Sequence, residues 1–475
     1  MPPFRNLPPK AGCAGEEVVK KSVVPPRGRG DTADMNDTLF PLPDANEPHG
    51  DGGNAEPRVQ RPNRTQLELR PSDLEGVLPP EHRARVVWEF VEGLDLSPLY
   101  ERIKAVEGGP GRPPIDPAIL MALWLYATVE GVGSARALAR LCEEHDAYRW
   151  ICGGVAVNYH TVADFRVDHA AVLDELLTTS VAALLTEGLV ELTRVAQDGV
   201  KIRASAGGGS FRRGDRLTQA LAAAATQVTA VREQLEADPG VASRREAAAR
   251  QRAAEERRRR VAEALAQLPG LEERRRKAGV KGPARTSTTD PEARVMKMAD
   301  GGFRPAVNAQ LMTATQGQII VGVAVTNAGT DQGQLRPMVE QVQRRYGRPP
   351  AEVLADGGYV DLDDLRAVSG TEFGCRVYAP PPGADDPTRA ARPRWRVDDA
   401  LIGAWRHRMA TEDAKGIYRE RAATSECVNA LARNRGLRQL GVRGLEKARA
   451  VLLWFALAHN LMRAAGLRAA HARAA

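Results

Sequence analysis

The sequence predicts an α+β multidomain protein, in which a mixed sheet flanked by helices follows an N-terminal all-α domain and is interrupted by an inserted helical hairpin. Three observations predict this architecture. Helical periodicity fills residues 83–190, strand-like runs lie on both sides of a long gap, and the gap itself carries a heptad pattern. At 475 residues the chain is also too long for one ordinary hydrophobic core, so two to four domains are expected.

The first 82 residues are rich in Pro, Gly, Asp and Arg and show little apolar periodicity. Such a composition buries too little apolar surface to offset the entropy of ordering, so residues 1–82 are expected to form a disordered tail. Met35 within it is an alternative start. The segment lacks the apolar core of a signal peptide, and no run in the chain approaches 18 apolar residues, which favours a cytoplasmic protein.

The net charge indicates the class of binding partner, and the cysteines indicate which ligands a bound metal would have. The formal charge is +7, and the basic residues cluster, so a polyanion is the expected partner. Nucleic acid is favoured over a membrane surface because no membrane-spanning run is seen. The five cysteines form no CxxC or Cys/His cluster, so a bound metal would be held by oxygen ligands.

Residues 83–190 are predicted to form several short helices. Asp116 caps a helix with Pro117 at its first position, Ser134 starts a second helix, Thr161 with Asp164 resembles a capping box, and a further helix covers about 171–187. Short helices with polar turns favour a helix-turn-helix-like DNA-binding domain. The alternative is a helical scaffold with solvated basic residues. The residues in question are Arg136, Arg140, Arg149, Arg166 and His169.

Strand-like runs cover about 192–202, 306–313, 319–325 and 353–355, with an amphipathic helix at 335–346. Between the first two runs, a basic insertion at 212–285 reads as an antiparallel helical hairpin. Its apolar seams are Leu217, Leu221, Ala224, Val228, Val231 and Leu235, and on the return Ala247, Ala254, Val261, Leu265 and Leu268.

The insertion holds 18 Lys or Arg against 10 Asp or Glu, notably in the runs 257–260 and 274–277. These charges predict either contact with DNA phosphates or a merely solvated coiled-coil face. The heptad seam closes on its own return helix or offers a surface to a partner.

Two aspartates lie at predicted strands: Asp198 lies in or just after one, and Asp356 follows another. Asp198 and Asp356 each precede glycine, which is the usual composition of a turn. A carboxylate at the end of a buried strand is also a natural metal anchor, and the glycines allow a phosphate to approach the backbone. Each aspartate alone is weak evidence.

A third acid, Glu426, lies in a helical stretch with Thr424 or Ser425 expected as its cap. Arg433 follows seven residues later, so both side chains are expected on one helix face, about 10 Å apart. Oxygen ligands from two strands and a helix suit two Mg²⁺ ions. Glu420 is the rival third carboxylate.

These residues resemble the DDE transposases of insertion sequences over about residues 85–465. The matching motifs are RPPIDPAIL at 112–120, DGVKIR at 198–203, MKMADGGF at 296–303, LADGGY at 354–359, RGLEK at 443–447 and AHNL at 458–461. The resemblance implies an RNase H-like catalytic domain over 191–465, followed by a basic tail at 466–475.

The resemblance also implies the site. Asp198, Asp356 and Glu426 would bind two Mg²⁺ or Mn²⁺ ions and catalyse cleavage and strand transfer. The DNA-binding residues it implies are Lys201, Arg203, Tyr418, Arg421 and Arg433. Arg433 replaces the family's usual Lys, and Asn429 stands where an aromatic residue is common.

The implied partners are double-stranded DNA, at element ends and target, and further copies of the chain, at least a dimer in the synaptic complex. The implied location is cytoplasmic and nucleoid-associated. A non-enzymatic DNA-binding protein and a metal nuclease without strand transfer are the alternatives. Structural roles are expected for five other polar residues, Asp331, Asp361 and Asp363 at helix starts and His459 and Asn460 in an apolar helix.

Overall fold

The computed structural model describes residues 73–105, 113–238, 243–381 and 399–474. Most of the predicted tail therefore lies outside the described residues, as does the tip of the inserted hairpin. Residues 73–82 are described and include a 3₁₀ turn, Glu75–Val77.

The N-terminal region is helical, as predicted. Its helices are α1 Arg83–Glu92, α2 Ser97–Tyr100, α3 Pro117–Val129, α4 Ala135–Glu144, α5 Asp146–Cys152, α6 Tyr159–Asp168 and α7 Ala170–Thr186. The Asp116 carboxylate accepts from the Ala118 N–H at 2.8 Å, and Ser134 caps α4, so both predicted caps are confirmed. The predicted capping box is wrong, because Asn158 rather than Thr161 caps α6.

A mixed sheet forms the second part of the fold. Its strands are β1 Arg194–Arg203, β4 Arg294–Lys297, β5 Phe303–Ala314, β6 Ile320–Thr326, β7 Glu352–Leu354 and β8 Arg376–Tyr378. The strand β1 is central: it pairs antiparallel with β5 and parallel with β7. Further out, β6 and β4 pair antiparallel with β5, and β8 pairs parallel with β7. All four predicted strand runs are present.

The predicted insertion is a helical hairpin. Its long helices are α8 Gly214–Ala237 and α9 Arg244–Ala266, followed by α10 Leu268–Lys277, and two short strands, β2 Phe211–Arg212 and β3 Thr286–Ser287, pair antiparallel at its base. The helices α8 and α9 pack on each other along buried residues that include Ala224, Val228 and Ala254. The heptad seam therefore closes on its own return helix.

The chain continues through helices on both sides of the sheet and ends in a long apolar helix. These helices are α11 Leu335–Tyr346, α12 Leu362–Ser369, α13 Ala400–Ala410, α14 Glu412–Arg421, α15 Cys427–Asn434 and α16 Leu445–Ala474. The sequence predicts a basic tail at 466–475, but α16 continues through residue 474.

The final helix joins the N-terminal helices to the sheet. It packs against α3, α6, α7 and β6, and one hydrophobic core includes residues of all these elements. Although the segment Leu445–Arg473 is long and apolar enough to cross a membrane, 72% of its most apolar window is buried in this core. The helix thus serves as the central core helix of the described fold.

The predicted structural roles of two polar residues in α16 are confirmed. Asn460 accepts from the Ile320 N–H and donates to the Ile320 carbonyl, both at 2.8 Å, and His459 Nε2 lies 2.8 Å from the Gln318 carbonyl. Both side chains are buried. They satisfy the backbone at the start of β6 and so attach that strand to the core helix.

Candidate active site

Asp198 and Asp356 lie on neighbouring parallel strands at the same level of the sheet. Ala196 pairs with Leu354, and each aspartate stands two residues after its strand's paired residue. Because side chains alternate along a strand and neighbouring strands are about 4.8 Å apart, this register directs both carboxylates to one face.

The Asp198 carboxylate is held by surrounding groups. Asn429 donates to its Oδ2 at 2.7 Å, the Gly199 N–H donates to its Oδ1 at 3.0 Å, and Arg421 lies 3.8 Å from Oδ2. Burial raises the pKa of Asp198 to about 6; the Arg421 charge opposes this rise, and the neighbouring Asp356 carboxylate adds to it. Two carboxylates in a mostly buried setting favour the approach of a cation.

Glu426 reaches the same region from a helix. A π-helical turn, Ala422–Glu426, joins α14 to α15 without a break, so neither Thr424 nor Ser425 caps a helix, and the predicted cap is wrong. Thr411 instead caps the start of α14, where it accepts from the Ala414 N–H. Glu426 therefore gains nothing from a helix N-terminus.

The π turn determines which residues share a face. In a regular α-helix, residues five apart point about 140° apart around the axis. Within the π turn, i→i+5 bonding brings Arg421 and Glu426 together, with Arg421 Nη2 3.5 Å from Glu426 Oε1. Arg421 thereby contacts both Asp198 and Glu426, and its guanidinium stacks over the Tyr418 ring at 5.8 Å.

These side chains border a cleft of about 860 Å³. Glu426, Asn429 and Arg433 all line it, which confirms that residues spaced by three and seven share one helix face. Other polar lining residues are Asp198, Lys201, Arg203, Lys297, Asp300, Arg304, Asp331 and Arg438. Of the predicted DNA-binding residues, Lys201, Arg203 and Arg433 line the cleft, whereas Tyr418 and Arg421 lie beside it.

The cleft could hold a metal only after a local rearrangement. Among the described residues, no three His, Cys, Asp or Glu side chains are gathered closely enough to hold a metal ion. The Glu426 side chain is 63% exposed, and Arg421 lies between it and Asp198. The donors themselves are carboxylate oxygens, which are the ligands that hard divalent cations prefer.

The rival carboxylate Glu420 is engaged elsewhere. Its Oε1 lies 2.6 Å from Arg194, which also pairs with the buried Glu352. Glu420 thus joins a network at the start of β1, whereas Glu426 lines the cleft with Asp198.

Two polar residues near Asp198 gain importance that the sequence did not reveal. The sequence marked Asn429 only as an unusual substitution, yet it is buried and bonded to Asp198. Asp331 was predicted to cap a helix, but Gln334 occupies the cap of α11, and the Asp331 carboxylate accepts from Asn308 and Gln310, both at 2.7 Å.

Asp331 also lies against β1 beside Asp198. An added Cβ on Gly199 would stand 2.2 Å from its Oδ1, so only glycine fits at that position. The polar pair Asn308 and Gln310, two residues apart on a strand, is the one signal that could have suggested a buried polar site.

The basic residues of the helical region have mixed roles. Arg166 stacks over Trp124 at 4.6 Å and donates to the Gly133 carbonyl, so it belongs to the core. Arg140 and Arg149 pair with acids of their own helices, and Arg136 lies over the Tyr159 ring. Arg166 therefore has the structural role that the scaffold interpretation predicts. Contact of the exposed basic residues with DNA stays a prediction.

Comparison with known families agrees with this arrangement. A family model described as Transposase domain (DUF772) matches residues 72–168, which contain α1 to α6. A second model, described as Transposase DDE domain, matches residues 395–465, which contain Tyr418, Arg421, Glu426 and Arg433. Neither a curated protein nor a solved structure matches the chain. Together the two family matches support a DDE-type insertion-sequence transposase.

Proposed function

We propose that the protein binds the terminal inverted repeats of an insertion sequence, cuts DNA there and joins the freed ends to target DNA, with Asp198, Asp356 and Glu426 as metal ligands. The observation that carries the proposal is the position of Asp198, which strand register sets beside Asp356 and which lines one cleft with Glu426. The family matches support the same chemistry.

The carboxylates fit a divalent cation by donor type and by electrostatics. Burial and, to a smaller extent, the neighbouring Asp356 carboxylate raise the pKa of Asp198, and a bound cation would favour its charged form. Two Mg²⁺ or Mn²⁺ ions, when bound, would supply activation of the attacking oxygen and stabilisation of the leaving oxygen.

The chain's own residues position the substrate. Asn429 fixes the Asp198 carboxylate, and Lys201, Arg203 and Arg433 line the cleft where they can meet DNA phosphates. Arg421 would transfer its contact from the two carboxylates to a phosphate once cations occupy the site. This exchange would let Glu426, largely exposed, move toward Asp198.

We further infer that the catalytic domain is RNase H-like. The support is a central strand, β1, with antiparallel strands on one side and parallel strands on the other. Bringing two element ends together implies at least a dimer during the reaction.

The test is Mg²⁺-dependent cleavage and joining of DNA that carries the element's own terminal repeats. Asp198→Asn, Asp356→Asn and Glu426→Gln should each lose product by about 10³-fold or more while DNA binding is retained. Glu420→Gln is the matched control, since it removes the same charge six residues before Glu426 and should retain most activity. Equal loss in Glu420→Gln and Glu426→Gln would contradict the assignment of Glu426.

The same experiment separates the alternatives. Cleaved but unjoined DNA from the wild-type protein would identify a nuclease without strand transfer. Binding without any cleavage would identify a non-enzymatic DNA-binding protein.

A further inference from the structure

A second cleft, of about 600 Å³, lies at the base of the inserted hairpin and is lined by five basic side chains: Arg213, Arg275, Lys281, Arg285 and Arg294. No acidic residue of the described chain lines it. We refer to it as the basic cleft.

Among the described residues, the basic side chains of this cleft form no ion pair with an acid. Within the described part of the chain, Arg275 donates only to the Lys281 and Gly282 carbonyls, and Arg294 donates to two carbonyls and to Gln267. Burial, followed by the charge of Arg274, lowers the pKa of Arg294, although nearby acids oppose this effect. The positive charge here is therefore available to an anion.

The basic runs on the hairpin's outer faces behave differently. Arg258 pairs with Glu255, Arg259 with Glu263, and both Arg276 and Lys277 with Glu273. These are exposed pairs within single helices, whose charges largely cancel. The sequence counted both groups as one excess of positive charge, but the structure separates these ion-paired side chains from the four insertion residues that line the basic cleft.

Residues of one strand line both the basic cleft and the active-site cleft. Arg294 and Val295 of β4 line the basic cleft, and Lys297 of the same strand lines the active-site cleft. Three residues of strand span about 10 Å, which is about three base-pair steps of duplex DNA. A single duplex can therefore contact both clefts.

We propose that the basic cleft binds the sugar–phosphate backbone of the DNA duplex whose cleavage site occupies the active-site cleft. The inference rests on the proposed function and adds a binding site to it. Contacts to phosphates do not recognise the base sequence. The cleft therefore increases affinity and fixes the position of the duplex without selecting a sequence.

The test compares two triple variants with the same charge change. One is Arg213→Gln/Lys281→Gln/Arg285→Gln, and the matched control is Arg258→Gln/Arg259→Gln/Lys277→Gln on the paired outer faces. Both are made in the Asp198→Asn background to prevent cleavage, and thermal unfolding checks the fold. The measurement is the affinity for a random-sequence duplex as a function of KCl concentration.

Each lost phosphate contact lowers the salt slope by about 0.9, so the cleft variant should lose about 2 to 3 from its slope and the control less than about 1. Equal slopes for the two variants would contradict DNA binding by the basic cleft, as would a cleft variant with the slope of the Asp198→Asn parent. Either result would leave the proposed function intact. Failure of the parent protein itself to bind DNA would overturn both proposals.

Discussion

The strand-borne and helix-borne parts of the proposed triad are held in different ways. Asp198 is only 17% exposed and is held by Asn429 and the Gly199 N–H, with Asp356 fixed beside it by strand register. Glu426 is 63% exposed, and its recorded contact among the described residues is the 3.5 Å ion pair with Arg421. Half of the site is thus preorganised, whereas the other half has room to move.

This difference explains how such a site can stay inactive without DNA. Preorganised carboxylates bind a cation at little reorganisation cost, whereas an exposed glutamate must first be ordered. We therefore expect Asp198 and Asp356 to form the first cation site and Glu426 to complete the second when DNA is bound.

Apart from the carboxylates themselves, replacement of Asn429 should have the largest effect on the preorganised half. Asn429→Ala removes the donor that orients the Asp198 carboxylate, and loss of such a supporting contact typically costs 10- to 100-fold in metal affinity or activity, on the order of the effect expected here. The Mg²⁺ concentration that gives half-maximal cleavage measures it. Asn434→Ala, an exposed asparagine of the same region, is the control and should behave like wild type.

A second test concerns His459, which attaches β6 to the core helix, and measures how stability depends on pH. Burial lowers the pKa of His459 to about 4, below its ordinary value near 6.5, so the folded protein favours the neutral ring. This contribution to stability is complete above about pH 6.5 and is lost as the pH falls toward 4, because the unfolded chain binds the proton first.

Between about pH 7.5 and about pH 5, the wild-type protein should therefore lose about 2 kcal/mol more unfolding free energy than His459→Gln, which keeps a donor for Gln318. Urea denaturation at both pH values measures the difference. Equal losses in the two proteins would show that the ring titrates normally.

A third test changes the close packing under Asp198. Gly199→Ala places a methyl group where Asp331 and Gln310 already lie, so the free energy of unfolding should fall by about 1–2 kcal/mol. Gly403→Ala is the control with the opposite sign: nothing lies within 4 Å of its added Cβ, and alanine in the interior of α13 should stabilise the fold by about 0.5–1 kcal/mol. Denaturant titration distinguishes the two signs, and a stabilising Gly199→Ala would refute the close packing.

The smallest effect is expected from shortening the π turn of the helix-borne half. Deletion of Ala422 from the π turn converts the spacing of Arg421 and Glu426 from five residues to four, which in an α-helix still keeps both side chains on one face. Cleavage should therefore fall by less than about tenfold. A loss as large as that of Glu426→Gln would mean that the π turn itself is required for the site.

The sequence predicted the parts of the site that depend on local pattern. Asp198 and Asp356 follow apolar residues of their strands and precede glycine, and Glu426 with Arg433 shows helical spacing. The roles of Asn429 and Asp331 depend on contacts between elements far apart in the chain, which no local pattern reveals. The sequence did not predict the π turn, because its residues also fit an α-helix and no residue type marks the one extra residue of the turn.

The most direct test of the preorganised and mobile halves is the number of Mn²⁺ ions bound by the protein with a non-cleavable element-end duplex, counted by electron paramagnetic resonance of the free ion. We expect two ions per active site in the wild-type protein, one in Glu426→Gln and none in Asp198→Asn. Two ions in Glu426→Gln, or any bound at the site in Asp198→Asn, would contradict the assignment of the cation sites to these carboxylates.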